Sequence, residues 1–452
     1  MEAHPRTVAE VAIESGSAVA LAKAISKATW RLVPFLLLMY ILAFLDRANV
    51  GFAKESFQLD TGIGEAAYAF GAGVFFAGYA LLEVPSNLIM RRVGARIWMA
   101  RIMVTWGLVS AAMMFAYSAT TFYVLRLLLG IAEAGFFPGV ILYLTYWFPS
   151  YARAKVMGLF YFGAPLAFIL GSPVSGILLE MDGVLSLKGW QWMFMVEGLL
   201  ATATGIWAYF YIDDKPADAV WLDAEEKRVL NAAVAAEDQD KRVHGPHGVL
   251  AALCNPGVLY LSAIYFLIQV AVYGVVFYLP SQVAQLLGRK VGLEVGLVTA
   301  IPWICALIAA YLIPRYSDRS GERRWTAAFT LAVAGAGIAV SAVASHSPLV
   351  ALIALCFAAS GFIAVQPLFW TFPTGYLSGA AAAGGIALVN SFGAAGGFTG
   401  PIVRTWAEQS FGRPLAGLYV LGLAAFIGAI LIAIVGVMLP GLGADERRSI
   451  GP

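Results

Sequence analysis

Residues 32–50 read LVPFLLLMYILAFLDRANV, and their composition indicates the fold class of the chain. No charged side chain precedes Asp46 within it, and Arg47 follows directly. A helix of about 20 mostly apolar residues is long enough to cross the hydrocarbon core of a bilayer. An ionisable side chain at the centre of such a helix costs about 2.5–3.5 kcal/mol on insertion scales. We therefore expect a membrane-spanning helix whose adjacent acid and base face the protein interior.

The rest of the chain has the same apolar character. Of its 452 residues, 60% are hydrophobic and only 12% are charged, which is too apolar for a water-soluble surface. The net charge of +2 gives no indication of nucleic-acid binding. The spacing of Cys254, Cys305 and Cys356 matches no metal motif, so neither a metal nor a cofactor is expected. The composition predicts an all-α membrane protein that contacts the lipid bilayer and no nucleic acid.

Hydropathy predicts twelve spans, six on each side of one long charged connection. Within that connection, Asp223 is a suitable N-cap for a short surface helix. The predicted spans are 30–52, 66–90, 97–118, 121–146, 154–180, 190–212, 255–285, 292–315, 325–344, 348–376, 382–408 and 414–439. The predicted domains are an N-terminal tail 1–29, a six-helix bundle 30–212, a linker 213–253, a second six-helix bundle 254–440 and a C-terminal tail 441–452.

Basic residues indicate the orientation of the spans. They concentrate in alternate connections, as in 91–96, 153–155 and 315–324, whereas the intervening connections hold few. Cytoplasmic loops carry an excess of lysine and arginine. We therefore predict that both tails and the linker are cytoplasmic. Helices rich in alanine and glycine, without long outer loops, favour a bacterial inner membrane.

The two halves of the chain share short motifs at nearly the same spacing. The connection RRVGAR at 91–96 recurs as DRSGER at 318–323, six spans later. Likewise, Pro173 in the fifth span corresponds to Pro401 in the eleventh. Together the two matches indicate parallel repeats, which place a substrate site at their interface near the bilayer midplane. The predicted fold is two six-helix bundles related by pseudo-two-fold symmetry.

Several longer motifs resemble a known family. They are FLDRANVGFA at 44–53, EVPSNLIMRRVGAR at 83–96, GIAEAGFFPG at 130–139, FWTFPTGYLSG at 369–379 and NSFGAAGGFTGP at 390–401. With twelve spans in two halves, the chain resembles the major facilitator superfamily and, within it, the anion:cation symporters. That resemblance implies transport of an organic anion, such as a sugar acid, tartrate or an aromatic carboxylate, together with protons.

The family's signature loop is Gly-x-x-x-Asp-Arg-x-Gly-x-Arg/Lys. Its second copy here keeps Asp318, Arg319 and Arg323, but the leading glycine is Pro314. The first copy has Arg91 where the family has an acid. Arginines in these loops can cap helix C-termini and pair with acids across the seam between the halves. We predict a conformational latch formed by Glu83, Arg92, Arg96, Asp318, Arg319 and Arg323.

Four charged residues in the spans are the main candidates for the transport site. At about 1.5 Å per residue, Asp46 in span one and Arg126 in span four lie at similar depths in a ~30 Å slab, so they can pair. Glu133 lies two turns below Arg126 on the same face. We expect Arg47 to bind a substrate carboxylate through forked hydrogen bonds, and Asp46 and Glu133 to be the proton-coupling acids. Arg126 would switch between acids or help to hold the anion. The alternative is a static, neutralised cluster that fixes helix packing.

Neutral polar and aromatic residues complete the predicted site. Rings would suit an aromatic acid, whereas amides and hydroxyls would suit a sugar acid or tartrate, and the sequence does not choose between them. The prolines in QPLFWTFPTG are expected to break span ten. The predicted substrate-binding residues are Arg47, Arg126, Tyr79, Gln269, Tyr273, Trp370, Thr371, Asn390 and Ser391.

The sequence favours secondary transport over other classes of function. It has no Gly-x-x-x-x-Gly-Lys-Ser/Thr loop, which argues against ATP-driven transport. The histidines His4, His244, His247 and His346 all lie outside the spans, which argues against a membrane enzyme. We expect a monomeric proton-coupled symporter. The alternatives are an anion exchanger, a uniporter and a receptor that binds a nutrient without moving it.

Overall fold

A computed structural model describes residues 8–243, 255–344, 346–376, 379–413 and 415–439. The predicted C-terminal tail and the end of the predicted linker lie outside these residues. Within them the chain is helical, contains no strand, and has twelve helices long and apolar enough to cross a membrane. The predicted all-α fold is confirmed. The spans are Val8–Thr61, Glu65–Val93, Ala95–Ala112, Ala119–Glu133 with Phe136–Trp147, Ser150–Tyr161 with Gly163–Glu180, Gly189–Tyr211, Pro256–Val276 with Leu279–Leu287, Leu293–Ser320, Arg323–Val343, Pro348–Tyr376, Gly379–Phe411 and Ala416–Met438.

Breaks in the spans differ from those expected. Span four is interrupted at Ala134 and Gly135, and Gly135 has the left-handed φ of 88° that favours glycine. Spans five and seven are also interrupted, at Phe162 and at 277–278. The break expected in span ten is wrong, because Pro348–Tyr376 is one helix containing Pro367 and Pro373.

Glycines allow the helices of each half to pack closely. A methyl group at Gly107 in span three would lie 2.5 Å from the carbonyl oxygen of Gly198 in span six. In the second half, a methyl group at Gly335 in span nine would lie 3.0 Å from the carbonyl oxygen of Gly422 in span twelve. Small residues let helix backbones approach within membranes. The same pair of helices therefore packs in the same way in both halves, as the repeat predicts.

The two halves meet along two seams. Spans two and eleven form one, where a methyl group at Gly73 would lie 2.6 Å from the carbonyl oxygen of Phe398. Spans five and eight form the other, where Glu180 Oε1 accepts a hydrogen bond of 2.8 Å from the backbone N–H of Leu293. These seams close one end of the molecule, which we call the closed end. We call the opposite end, which carries 91–96 and 315–323, the basic end.

The linker contains the expected surface helix, Ala224–Val243. Asp223 Oδ1 accepts from the backbone N–H of Glu226 at 2.8 Å, and Glu226 Oε2 accepts from the backbone N–H of Asp223 at 3.0 Å. This reciprocal pair is a capping box, so the predicted N-cap is confirmed. Lys27, on span one, donates to Glu226 at 2.7 Å and lowers the pKa of that carboxyl. The contact holds the linker helix against the start of span one.

Candidate functional site

A cavity of about 450 Å³ lies between the two halves. It extends from Arg47 and Tyr273 to Arg315 and Asp318 at the basic end, and both halves contribute to its wall. Most of the wall is apolar or aromatic, which is typical of small-molecule sites with a few placed polar groups. Its polar groups include Arg47, Gln269, Gln366 and Asn390.

Arg47 is the charged centre of this cavity. Its Nε and Nη2 donate to Glu133 Oε1 at 2.9 and 2.5 Å, and its Nη1 lies 3.5 Å from the hydroxyl of Tyr273 in the second half. Glu133 is fully buried, and its Oε2 has no hydrogen-bond partner. Glu133 ends the first helix of span four, so the break at Gly135 sets its position. The ion pair therefore has unused acceptor capacity on a buried carboxylate.

Aromatic rings surround the guanidinium of Arg47. Its carbon lies 5.2, 5.4 and 5.1 Å from the ring centres of Phe44, Phe75 and Tyr79. Phe75 also lies 5.1 Å from the guanidinium carbon of Arg126. A cation within about 6 Å of a ring centre is attracted by the ring quadrupole. These rings stabilise Arg47 where few water molecules reach it.

Asp46 points away from the cavity into the first half. It is 2% exposed and accepts hydrogen bonds of 3.0 Å from Asn49 Nδ2 and from Trp106 Nε1, and a third from Ser110 Oγ. Trp106 and Ser110 lie one turn apart on span three. Hydrogen bonds from neutral groups satisfy a buried carboxyl without a cation in direct contact. Because successive residues on a helix point in different directions, Arg47 points into the cavity and Asp46 points into the packed interior of the first half.

The expected pair between Asp46 and Arg126 does not form in this structure. Arg126 is 1% exposed and donates instead to the backbone carbonyls of Gly71 and Ala72 at 3.3 and 3.1 Å. Its Nη1 is buried without a partner. Similar depth in the membrane did not bring the two side chains together, because span three supplies donors to Asp46 and span two supplies acceptors to Arg126. Arg126 also does not line the cavity in this conformation, unlike the prediction.

Glu83 differs from its predicted pairing. Its Oε1 accepts a hydrogen bond of 2.7 Å from Asn390 Nδ2, across the seam between spans two and eleven, and no arginine contacts it in the described part of the chain. An arginine partner was expected because EVPSNLIMRR places two basic residues downstream. Arg91 and Arg92 instead lie two turns away at the exposed end of the helix. Asn390 itself lines the cavity, as predicted.

Most of the predicted second-half residues also line the cavity. Gln269, Tyr273 and Trp370 do so, as does Tyr79 from the first half. Gln269 accepts from Gln366 Nε2 at 3.3 Å and donates to the Tyr265 hydroxyl at 3.1 Å. Gln366 and Tyr265 are cavity residues that the sequence-based prediction missed. Two signals could have identified them: Gln366 is an amide within an apolar span, and Tyr265 shares a face with Gln269 four residues later.

Two predicted residues lie away from the cavity. Thr371 Oγ1 donates to the backbone carbonyl of Leu368 at 2.7 Å, within its own helix. Neither Thr371 nor Ser391 lines the cavity wall. Both neighbour a residue that does, Trp370 and Asn390 respectively, and successive residues on a helix point about 100° apart. Their predicted contact with substrate stays a prediction, although neither side chain lines the cavity in this structure.

A family model for the Major Facilitator Superfamily matches residues 36–401, most of the chain. The chain belongs to the Major Facilitator Superfamily. Inner membrane transport protein RhmT of Escherichia coli (strain K12) is 54% identical to this superfamily member over 402 residues, 89% of this chain and 92% of the relative. A protein of Agrobacterium vitis named "Putative tartrate transporter" is 45% identical over 413 residues, 91% of each chain.

Among solved structures, the inward-open conformation of the E. coli xylose transporter XylE matches this facilitator with a TM-score of 0.70. The match covers 89% of this chain and 95% of XylE at 16% identity, so it shows a shared fold. The chain is therefore a multi-pass membrane transporter of the superfamily, with a cavity that extends to the basic end.

Among the residues described, the predicted latch residues of this facilitator's two signature loops make contacts only within their own halves, whereas Glu83 reaches Asn390 across the seam. Arg323 Nη2 lies 3.1 Å from Asp318 Oδ1, and both side chains are exposed. The backbone N–H of Arg96 donates to Asp214 Oδ1 at 2.9 Å, and its guanidinium carbon lies 4.6 Å from the ring centre of Tyr209. Arg92 and Arg319 are exposed. Among the described residues no ion pair joins the two signature loops across the halves, and the role of the latch stays a prediction.

The described residues contain no cluster of His, Cys, Asp and Glu that could hold a metal ion. The site of this facilitator consists of one arginine at the cavity wall, the buried acids Glu133 and Asp46 behind it, and amides and rings opposite. An arginine in such a cavity can bind an anion.

Proposed function

We propose that this transporter is a proton-coupled symporter that imports an organic carboxylate by alternating access. The observation that supports this most directly is the Arg47–Glu133 pair, in which a cavity-lining arginine is held by a buried carboxylate. Arginine presents two parallel donors that match a carboxylate. A substrate carboxylate in the cavity is therefore a direct competitor of Glu133 for Arg47.

The competition supplies a route for coupling. When the substrate takes the donors of Arg47, the fully buried Glu133 loses its counter-ion. A buried charge without a partner is strongly unfavourable, and uptake of one proton by that carboxylate removes it. Return of Arg47 to Glu133 then releases the proton and weakens the hold on substrate. Substrate anion and proton consequently enter and leave the site together.

Asp46 is the second proton-coupling acid in this proposal. It lies next to Arg47 in sequence and is enclosed by neutral donors from span three. A change in the tilt of span one moves Asp46 relative to those donors and to Arg126. Arg126, with one unpartnered nitrogen, is available to pair with whichever acid is charged.

The second half would bind the body of the substrate through Gln269, Tyr273, Trp370 and Asn390. A carboxylate cargo agrees with the name of the Agrobacterium vitis relative, which gives tartrate. We also propose that the basic end faces the cytoplasm of a bacterial inner membrane, with both termini inside. Reporter fusions at residue 452 and in the closed-end connection 181–188 test this orientation.

Transport by purified protein in liposomes tests the function. An inward proton gradient should drive uptake of a carboxylate above its external concentration, and adding substrate alone should move protons inward. Asp46→Asn and Glu133→Gln should abolish this uphill uptake but retain exchange of substrate for substrate. Glu294→Gln, an exposed acid that pairs with Arg289, is the matched control and should behave as wild type.

Two outcomes would contradict proton coupling. Uphill uptake that persists in both acid variants would show that neither carboxyl carries the coupled proton. Exchange or downhill flux without proton movement in the wild-type protein would instead identify an exchanger or a uniporter.

A further inference from the structure

Glu83 is an acid beside the cavity that the transport cycle above does not use. It lies on span two, one turn after Tyr79, whose ring contacts Arg47 and lines the cavity. Its Oε1 accepts from Asn390 Nδ2 at 2.7 Å, so the side chain reaches across to the second half. This contact joins two elements that both border the substrate space.

The Glu83–Asn390 hydrogen bond leaves two polar side-chain atoms unused, Glu83 Oε2 and Asn390 Oδ1, and both are acceptors. Among the described residues, no donor reaches Glu83 Oε2 or Asn390 Oδ1. Both side chains belong to residues that are half-buried and not fully enclosed by protein. An ionised carboxylate accepts hydrogen bonds only, and an amide oxygen does the same. The two atoms thus form a patch that only a hydrogen-bond donor can satisfy.

Arg47 and Asn390 line the cavity, and Glu83 lies beside its wall, hydrogen-bonded to Asn390. The cavity is therefore bordered by two chemically opposite groups. Arg47 supplies donors and positive charge, whereas Glu83 and Asn390 supply acceptors and negative charge. A molecule with one carboxylate and at least one hydroxyl group satisfies both. An aromatic carboxylate without hydroxyl groups leaves the acceptors of Glu83 and Asn390 unpaired. A dicarboxylate would place its second negative charge near the negative charge of Glu83, which is unfavourable. Unpaired polar groups in a site are a strong source of discrimination.

We propose that Glu83 determines specificity: its free carboxylate oxygen accepts a hydrogen bond from a substrate hydroxyl and disfavours a second substrate carboxylate. This rests on the proposed carboxylate transport and narrows it to hydroxylated monocarboxylates of the sugar-acid class. Asn390 acts as a positioning residue, because its amide fixes the orientation of the Glu83 carboxyl. Glu83 belongs to substrate selection and not to the latch that its sequence context suggests.

Binding of three probes to purified protein tests the proposal. Gluconate carries hydroxyls and one carboxylate, glucarate carries hydroxyls and two, and benzoate carries a ring and one. Wild-type protein should bind gluconate about tenfold or more tightly than either of the others, as expected for one charge-assisted hydrogen bond. Titration calorimetry gives the three affinities, and their ratios are the readout.

Two variants separate the two effects of Glu83. Glu83→Gln removes the negative charge and should reduce the preference for gluconate over glucarate about tenfold. Glu83→Leu removes the acceptor and should reduce the preference for gluconate over benzoate by a similar factor. Glu65→Gln, the same change at the closed end of the same helix, should leave both ratios unchanged. Thermal unfolding of each variant confirms that it is folded.

The outcomes distinguish this proposal from the one on which it rests. Variants that weaken all three affinities equally, or change none, would overturn the role of Glu83 while leaving carboxylate transport in place. Folded wild-type protein that binds none of the three acids would overturn both. Wild-type protein that prefers benzoate would overturn the assignment of substrate class.

Discussion

At the residue scale, adjacent positions on span one perform different tasks. Arg47 reaches the cavity and is held by Glu133, whereas Asp46 turns into the helix packing and is held by Trp106, Ser110 and Asn49. A rotation of 100° between neighbours on a helix makes this division possible. Both charges are tolerated within the span because each is hydrogen-bonded to protein groups and neither is exposed to lipid.

Arg47→Lys should lower substrate affinity by at least about tenfold, because a lysine cannot present two parallel donors to a carboxylate. Titration calorimetry with a carboxylate that the wild-type protein binds measures the change in affinity. Arg101→Lys is the matched control, because Arg101 is a partly exposed arginine that stacks on Trp98 at 4.0 Å, outside the cavity. Equal loss of affinity in both variants would contradict a specific role for the Arg47 fork.

The sequence was informative about which residues matter and less so about how they pair. An ionisable group within an apolar span is conspicuous, so Asp46, Arg47, Arg126 and Glu133 could be selected directly. Counting residues along the spans placed Asp46 and Arg126 at the same depth in the membrane. Depth does not determine how each helix is rotated about its own axis, and this rotation decides where a side chain points. The donors that satisfy Asp46 come from span three, where Trp106 and Ser110 look like ordinary packing residues. Their role depends on tertiary contact and could not be predicted.

At the scale of elements, glycine positions decide how closely helices approach. Gly130 in span four lies against the backbone of span two, where an added methyl group would overlap the carbonyl oxygen of Phe75. Phe75 in turn lies beside the guanidinium groups of Arg47 and Arg126. Close backbone packing therefore places the ring that both arginines share.

Gly130→Ala should destabilise the protein by about 2 kcal/mol, because the added methyl group forces two backbones apart. Thermal unfolding in detergent measures the shift. Gly158→Ala is the control, since no neighbouring atom lies within 4 Å of the position that its methyl group would take, and alanine is the better helix former. Unchanged stability of the Gly130 variant would show that spans two and four can separate without cost.

Docking of the linker helix should depend on pH. Hydrogen bonding from Lys27 lowers the pKa of Glu226 in the folded state. The stabilisation that this contact gives to the docked linker helix is therefore complete above the ordinary glutamate pKa of about 4.3. It is lost as the pH falls through the lowered value. Hydrogen exchange in 224–243, corrected for intrinsic rates, should therefore be protected at pH 7 and increase several-fold below about pH 4. Glu226→Gln should exchange faster already at pH 7, whereas Glu225→Gln, an exposed neighbour, should not. Protection independent of pH would contradict the role of this contact.

The existence and number of spans could be predicted because each is a long apolar run, but their interruptions could not. Gly135 breaks span four because its positive φ ends the first helix directly after Glu133. Nothing in the local pattern distinguishes Gly135 from the glycines that remain inside helices. In span ten, Pro367 and Pro373 were expected to break the helix, yet both lie inside one continuous helix.

At the scale of the whole molecule, the two halves touch at the closed end and separate at the basic end. A cavity residue should therefore be reachable from one side only. Ala394→Cys, in a protein whose Cys254, Cys305 and Cys356 are replaced by serine, should react with a membrane-impermeant thiol reagent applied at the basic end. The same reagent applied at the closed end should react at least about tenfold more slowly, and bound substrate should slow both reactions.

Labelling is compared between inside-out and right-side-out vesicles. Leu185→Cys, in the exposed connection at the closed end, is the matched control and should show the opposite preference. Equal labelling of the Ala394 variant from both sides would mean that the closed end opens as readily as the basic end. The repeat in the sequence predicted a site between two halves, but it could not indicate which end is open, because both conformations use the same residues.

Span one is a single helix of 54 residues, from Val8 to Thr61. At 1.5 Å per residue it is a rod of roughly 80 Å that carries Arg47 about three-quarters of the way along and contacts the docked linker helix, through Lys27, about 30 Å from Arg47. Such a rod acts as a lever: a tilt of about 10° around Arg47 would sweep Lys27 through roughly 5 Å. A pair of fluorophores, one on the linker helix and one on the second bundle, would turn that sweep into an optical signal of each transport cycle.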